Sequence, residues 1–132
     1  WEDIKELTTE GTVIGSHTMN HPILSNISKH EIRKELTESK ALIEKNTNME
    51  VYHFAYPNGR IQDYNHYTKK MAKHCYKSAV TTNEGINFSS KDFYELKRIG
   101  IFYDMRLIDI KMKILYLKIE MILKRLKSLK SL

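Results

Sequence analysis

Three short runs of β-forming residues, each halted by turn residues and followed by a helical pattern, constrain this chain most. Residues 12–14 stop at Gly15, residues 51–56 stop at Pro57-Asn58-Gly59, and residues 76–82 run into a loop at 84–90 that holds Gly85 and Asn87. A fourth run covers residues 97–102. Such runs, closed by Gly or Pro, read as strands. Helices between consecutive strands act as crossovers, which lay the strands parallel in one sheet. The chain is therefore expected to be α/β, with a mainly parallel sheet whose ligand loops sit at the C-terminal strand ends.

The helical patterns carry their own stop and start signals. Trp1, Ile4 and Leu7 share a face, and Gly11 follows as a C-terminal stop. Ser28 and Glu31 form an S-x-x-E capping box, after which Ile32, Leu36, Ser39 and Ile43 recur at helical spacing beside Leu42. Residues 63–74 place Tyr64, Tyr67 and Met71, with Cys75 beyond them, on an inner face, and residues 92–96 read as a turn or short helix. From Asp104 the texture changes. Ile108, Met112, Leu115, Ile119, Ile122, Leu126 and Leu129 step alternately by four and three, while Lys111, Lys118 and Arg125 share a line seven apart. This predicts a long amphipathic C-terminal helix and divides the chain into residues 1–102 and a tail, 103–132.

With 132 residues the chain has room for one core, and 41% apolar with 29% charged residues excludes wholesale disorder. The net charge of +6 lies mostly in residues 103–132, which hold eight basic and three acidic residues and leave residues 1–102 near neutral. Basic and aromatic residues are not interleaved and no reader motif is present, so nucleic acid is not an expected partner. The tail at 104–130 could instead lie on an anionic membrane surface, self-associate, or cover the core. Its many apolar positions favour packing or self-association. Cys75 is the single cysteine, which excludes an internal disulfide and a multi-cysteine zinc site. The chain opens on Trp1 inside a helical pattern, so it is expected to start within a larger gene product.

Two segments carry potential chemistry. In Gly15-Ser16-His17-Thr18-Met19-Asn20-His21-Pro22, two imidazoles follow a strand, bracketed by Gly and Pro. Both rings can converge on one borderline divalent cation, zinc first among them, with the hydroxyls of Ser16 and Thr18 behind them as orienting groups. In Phe54-Ala55-Tyr56-Pro57-Asn58-Gly59, Pro57 fixes one torsion and Gly59 frees another, so that a backbone N–H such as that of Asn58 can face an anion. Taken singly, each segment also reads as an ordinary loop.

In this order and spacing the segments resemble the polysaccharide deacetylase family, the NodB-homology or carbohydrate esterase family 4 domain. Residues 14–18, His21-Pro22 and Leu24-Ser25 are shared, as are Glu35-Leu36 and Ser39-Lys40, Phe54-Ala55-Tyr56-Pro57 with Gly59, residues 76–82 with Gly85 and Asn87, and residues 96–99. The resemblance covers residues 1 to 102. It implies an incomplete distorted (β/α) barrel and a metal-dependent hydrolase that removes acetyl groups from N-acetylated sugars of a polysaccharide or glycan precursor. It makes His17 and His21 the two metal-binding histidines, Thr18 the small hydroxyl residue between them, and Asn58 the backbone donor to the oxyanion. Tyr56 and Pro57 would line one wall of the groove.

The family's adjacent aspartates, one a metal ligand and one the general base, have no counterpart here, and Asp3 lies in the first helix. Ala55 stands where many members carry an arginine, for which Arg98 is the candidate replacement. The resemblance therefore implies a piece that lacks its catalytic base and turns over little by itself. The alternative is a non-catalytic carbohydrate-binding or interaction module. Relatives act in the cell envelope, outside the cytoplasm, or on the cytoplasmic face of surface-polysaccharide synthesis, which leaves the compartment open.

Overall fold

The structure, a computed structural model, describes residues 1–87 and 92–129. Residues 88–90 of the expected loop and 130–132 of the tail lie outside these, and Leu129 is described by its backbone alone. The order is α1 (Glu2–Thr9), a 3-10 turn (Leu24–Asn26), α2 (Lys29–Thr47), β1 (His53–Ala55), α3 (His66–Cys75), β2 (Ser78–Glu84), β3 (Leu96–Arg98) and α4 (Leu107–Leu129). The sheet runs β1-β2-β3 with both pairs parallel; α3 is the crossover between β1 and β2, and no helix lies between β2 and β3 among the described residues. No helix among the described residues is long and apolar enough to cross a membrane.

The stop and start signals act as read. Gly11 adopts φ 88° and closes α1 with paired bonds, its own N–H to the Thr8 carbonyl and the Thr12 N–H to the Leu7 carbonyl. At α2, Ser28 Oγ accepts the Glu31 N–H while the Glu31 carboxylate accepts the Ser28 N–H. The helix then buries Ile32, Leu36 and Ser39. Asn65, missed in the sequence, caps α3 through its side chain and shifts that helix to start after the expected residue 63.

Several strands are shorter than their β-forming runs. Residues 12–14 form no strand; the segment pairs with β1 only through the single bridge Ser16–Phe54. Only β1 flanks it among the described residues, and one neighbour of three residues offers few ladder positions. In β1 the side chains alternate, so Phe54 points into the core while His53 is exposed. Phe54 stacks on Tyr76 at 5.1 Å between centroids and meets Tyr56 edge-on at 5.2 Å, and Leu24, Ile32, Leu36, Val51 and Ala79 belong to the same cluster.

Two features concern the sheet margins and the tail. The Lys97 N–H and C=O, which face away from β2, are bonded to the Asn87 side-chain oxygen and amide at 2.9 and 2.8 Å. Helix α4 touches the body through Leu117 and through Lys113, whose ammonium pairs with Glu84 and donates to the Gly100 carbonyl. The heptad-spaced stripe, expected to pack on the body or to self-associate, faces away from the body, which overturns the first of these two roles and leaves the second open. Ile108, Met112, Leu115, Ile119, Ile122 and Leu126 are each about half exposed. Periodicity located the stripe but could not say which side of the helix meets the sheet.

Candidate functional site

The histidine segment starts from its hold on β1. Ser16 donates its N–H to the His53 carbonyl and accepts from the Ala55 N–H, which fixes the backbone as it leaves the sheet. Its hydroxyl points inward to Ser39 Oγ at 2.7 Å. It thus ties the segment to α2, and the ring-orienting role expected for it falls to a backbone group. His17 Nδ1 lies 2.8 Å from the Ala55 carbonyl oxygen, so Nδ1 carries the proton and Nε2 presents its lone pair. A histidine that donates one ring N–H to a carbonyl and turns the other nitrogen outward has the arrangement of a metal ligand. The His21 ring stands 4.8 Å from that of His17, tilted 71°.

This convergence needs an unusual backbone. Thr18 has φ 67° and His21 φ 53°, left-handed values that cost non-glycine residues roughly 1 kcal/mol or more each. Thr18 Oγ1 donates to the His17 carbonyl and accepts the His21 N–H, bracing the loop from inside rather than touching a ring. From outside, buried Glu35 on α2 accepts the Met19 and Asn20 N–H groups on Oε2 at 2.7 and 3.0 Å, and the Asn20 amide on Oε1 at 2.7 Å.

Burial alone would raise the Glu35 pKa, but the bonds from Asn20 and Met19, with the Lys34 charge, outweigh it and hold the carboxyl below its ordinary value. A depressed folded pKa gives stability that is full above the ordinary glutamate value of about 4.3 and is lost as pH falls through the lower folded value. The Met19 and Asn20 amides should therefore be protected from hydrogen exchange at neutral pH and lose protection below about pH 4. Protection that persists unchanged to pH 2 would contradict this.

The second turn lies across β1. Pro57 is buried, and Tyr56 is 1% exposed, stacked on Tyr64 at 4.2 Å with its hydroxyl donated to the Tyr94 carbonyl. Neither side chain forms the groove wall expected of it: the alternation that turns Phe54 inward turns Tyr56 inward too, and Pro57 is buried in the turn beyond the strand. Asn58, by contrast, is exposed at φ 55°, with its carbonyl held by the Thr82 hydroxyl at 2.6 Å. Gly59 follows at φ 71°, bonded through its carbonyl to the Thr82 N–H, and a Cβ there would stand 2.9 Å from that nitrogen. Gly59→Ala should therefore cost about 2 kcal/mol or more in denaturant unfolding, and a loss under about 0.5 kcal/mol would show the turn to be adaptable.

Arg98 ends β3 and lines a hollow with Thr82 and Glu84, its Nε donating to the Thr81 carbonyl at 2.6 Å. Thr82 thus joins Arg98's neighbourhood to the Asn58-Gly59 turn. Asp63, also missed in the sequence, accepts the Arg60 N–H on its carboxylate and the Ser25 N–H on its carbonyl, which ties the Asn58 turn to the chain just after His21. His17, Asn58 and Arg98 consequently share one end of the parallel sheet, the end where α/β folds place ligands. Among the described residues, no cluster of three His, Cys, Asp or Glu side chains could hold a metal ion.

Comparison with known proteins identifies the family. A family model for polysaccharide deacetylase matches residues 1–79. YxkH of Bacillus subtilis (strain 168), which carries the polysaccharide deacetylase name, is 32% identical over 101 residues, 76% of this chain and 35% of its own length. The Streptococcus pyogenes deacetylase PplD in complex with acetate aligns with TM-score 0.77 at 33% identity, covering 86% of this chain and 49% of its own. BC0361, a polysaccharide deacetylase from Bacillus cereus, aligns with TM-score 0.73 at 26% identity, covering 86% and 35%. The chain spans less than half the length of each of these relatives. With the histidine segment and the Pro57-Asn58-Gly59 turn inside the matched region, the chain belongs to the polysaccharide deacetylase family.

Proposed function

We propose that this chain supplies the histidine half of a divalent-metal site for hydrolysis of N-acetyl groups on a polysaccharide or glycan precursor, with zinc as the metal. The observation that carries the reading is the His17–His21 pair, its first ring oriented by the Ala55 carbonyl so that Nε2 is free for a ligand bond. The donor set suits a borderline divalent ion. Bound there, such an ion supplies polarisation of an acetamide carbonyl and of a water. The Asn58 N–H, for which no protein acceptor is found among the described residues, donates to the oxyanion, and Arg98 adds positive charge at the rim. Water oxygen bonds to the acetyl carbon, the C–N bond breaks, the leaving nitrogen takes both water protons to depart as an ammonium, and acetate is released. Acetate is also what the PplD structure holds.

Catalytic zinc ordinarily has three protein ligands, and two imidazoles leave the set short by one as well as lacking a base. In this reading the 132 residues bind metal weakly and turn over little by themselves, while a longer protein with both aspartates is the efficient enzyme. Acetate release from an N-acetylglucosamine oligomer with added zinc is expected near background. Robust zinc-dependent release would overturn the incompleteness of the site. Residues 1–102 act as the deacetylase portion and 103–132 as a separate element.

The outward stripe of α4 supports a second, separable reading: docking on an anionic membrane surface. The line Lys111, Lys118, Arg125 borders the exposed apolar residues, whereas pairing two copies along the stripe would set like-charged lines against apolar or basic neighbours. Co-sedimentation with phosphatidylserine vesicles should be strong at low salt and weaken as salt rises. Absence of binding, with concentration-dependent dimerisation instead, would overturn it.

A further inference from the structure

We infer that Glu35 is the positioning residue of the histidine site, holding His17 and His21 in converging geometry without touching either ring. The inference rests on the metal reading of that pair. Thr18 and His21 both take left-handed backbone conformations, and the two residues between them, Met19 and Asn20, aim their N–H groups at a single point. Glu35 Oε2 occupies that point, and Oε1 takes the Asn20 amide. The anchor comes from α2, which the capping box and the buried Ile32 and Leu36 hold rigidly against the sheet. The loop's shape is thus imposed by a side chain 15 residues away in sequence from Asn20.

The chemistry calls for a carboxylate in particular. Both oxygens accept, one of them twice, from donors that have no other partner in the loop. A glutamine of the same length could keep its oxygen on the two backbone N–H groups only by turning its NH2 toward Asn20, whose side-chain amide would then have to reverse, and all three charge-assisted bonds would become weaker neutral ones. A structural brace would tolerate that exchange with a modest stability loss. A positioning residue would not, because partners behind metal-binding histidines typically change metal affinity by 10- to 100-fold.

The test compares wild type with Glu35→Gln by cobalt titration, read by the visible absorption of the ion, together with amide exchange and the nuclear Overhauser contact between the two imidazoles. Ser39→Ala is the control. It perturbs the same helix beneath the same segment, removing the Ser39 hydroxyl bonds to Ser16 and to the Glu35 carbonyl, but leaves the Glu35 carboxylate bonds to Met19 and Asn20 in place. Expected for Glu35→Gln are about tenfold weaker cobalt binding, faster exchange confined to Met19 and Asn20, and loss of the ring–ring contact, none of which Ser39→Ala reproduces. If Glu35→Gln does not fold, Asn20→Ala deletes one of the three bonds and should move all readouts the same way by less. Unchanged affinity, exchange and ring contact overturn the inference. If wild type binds no cobalt, the metal reading fails, and exchange and ring contact alone then decide: retained in Glu35→Gln they overturn the role of Glu35, lost they sustain it.

Discussion

Replacing Phe54 with alanine is expected to cost about 3–5 kcal/mol, the largest stability effect in the chain, and to leave much of it unfolded at 25 °C. Phe54 is 1% exposed and lies at the crossing of three contacts: stacked on Tyr76, edge-on to Tyr56, and in the backbone bridge to Ser16. The substitution removes the aromatic surface and leaves a cavity that two flanking tyrosines cannot fill, because each has its hydroxyl tied elsewhere. Tyr76 donates to the Leu36 carbonyl at 2.6 Å and Tyr56 to the Tyr94 carbonyl at 2.9 Å. Denaturant unfolding followed by circular dichroism measures the loss. A cost under about 1.5 kcal/mol, the range of well-tolerated core swaps, would mean the cluster can collapse onto the gap.

His17→Ala and His21→Ala should each reduce metal affinity by about 100-fold or abolish it, since a two-imidazole set that loses one member becomes an ordinary surface histidine. His17→Ala should also free the Ala55 carbonyl without loosening the fold, because that ring is exposed. Isothermal titration with zinc, in parallel with thermal unfolding, separates ligand loss from unfolding. Equal affinity in wild type and both variants would remove the histidine pair from any metal site. A loss in one variant alone would reassign the pair to a single ligand.

Local chemistry was legible where donor and acceptor lie within a turn of one another. The Ser28–Glu31 box and the Gly11 stop needed only a few residues of sequence, and the alternation of strand and helix patterns was enough for a parallel sheet. What the sequence could not carry were contacts set by tertiary packing. Glu35 reads as one more polar helix residue until the loop folds over it. Residues 12–14 have strand composition but gain only one bridge, since a strand is made by its neighbours. Tyr56 carried a family expectation of a groove position, yet the period of two that buries Phe54 decides its direction. The α4 stripe has coiled-coil spacing, and still the helix meets the body through Leu117 and Lys113 on its opposite side.

The side-chain amide of Asn87, set against Lys97, has a consequence for how this sheet can grow. An unpaired strand edge is a template for another strand, whether from the same chain, a second molecule or an aggregate. On β3 that template is already occupied by a single asparagine imitating a neighbouring backbone. The opposite margin, where Ser16 bridges to β1 and the backbone of Gly15 and His17 faces away from it, is met by a side chain only at the His17 carbonyl, which accepts from the Thr18 hydroxyl, among the described residues. Extension of the sheet is thus directional, and a strand that joins it arrives alongside the histidines.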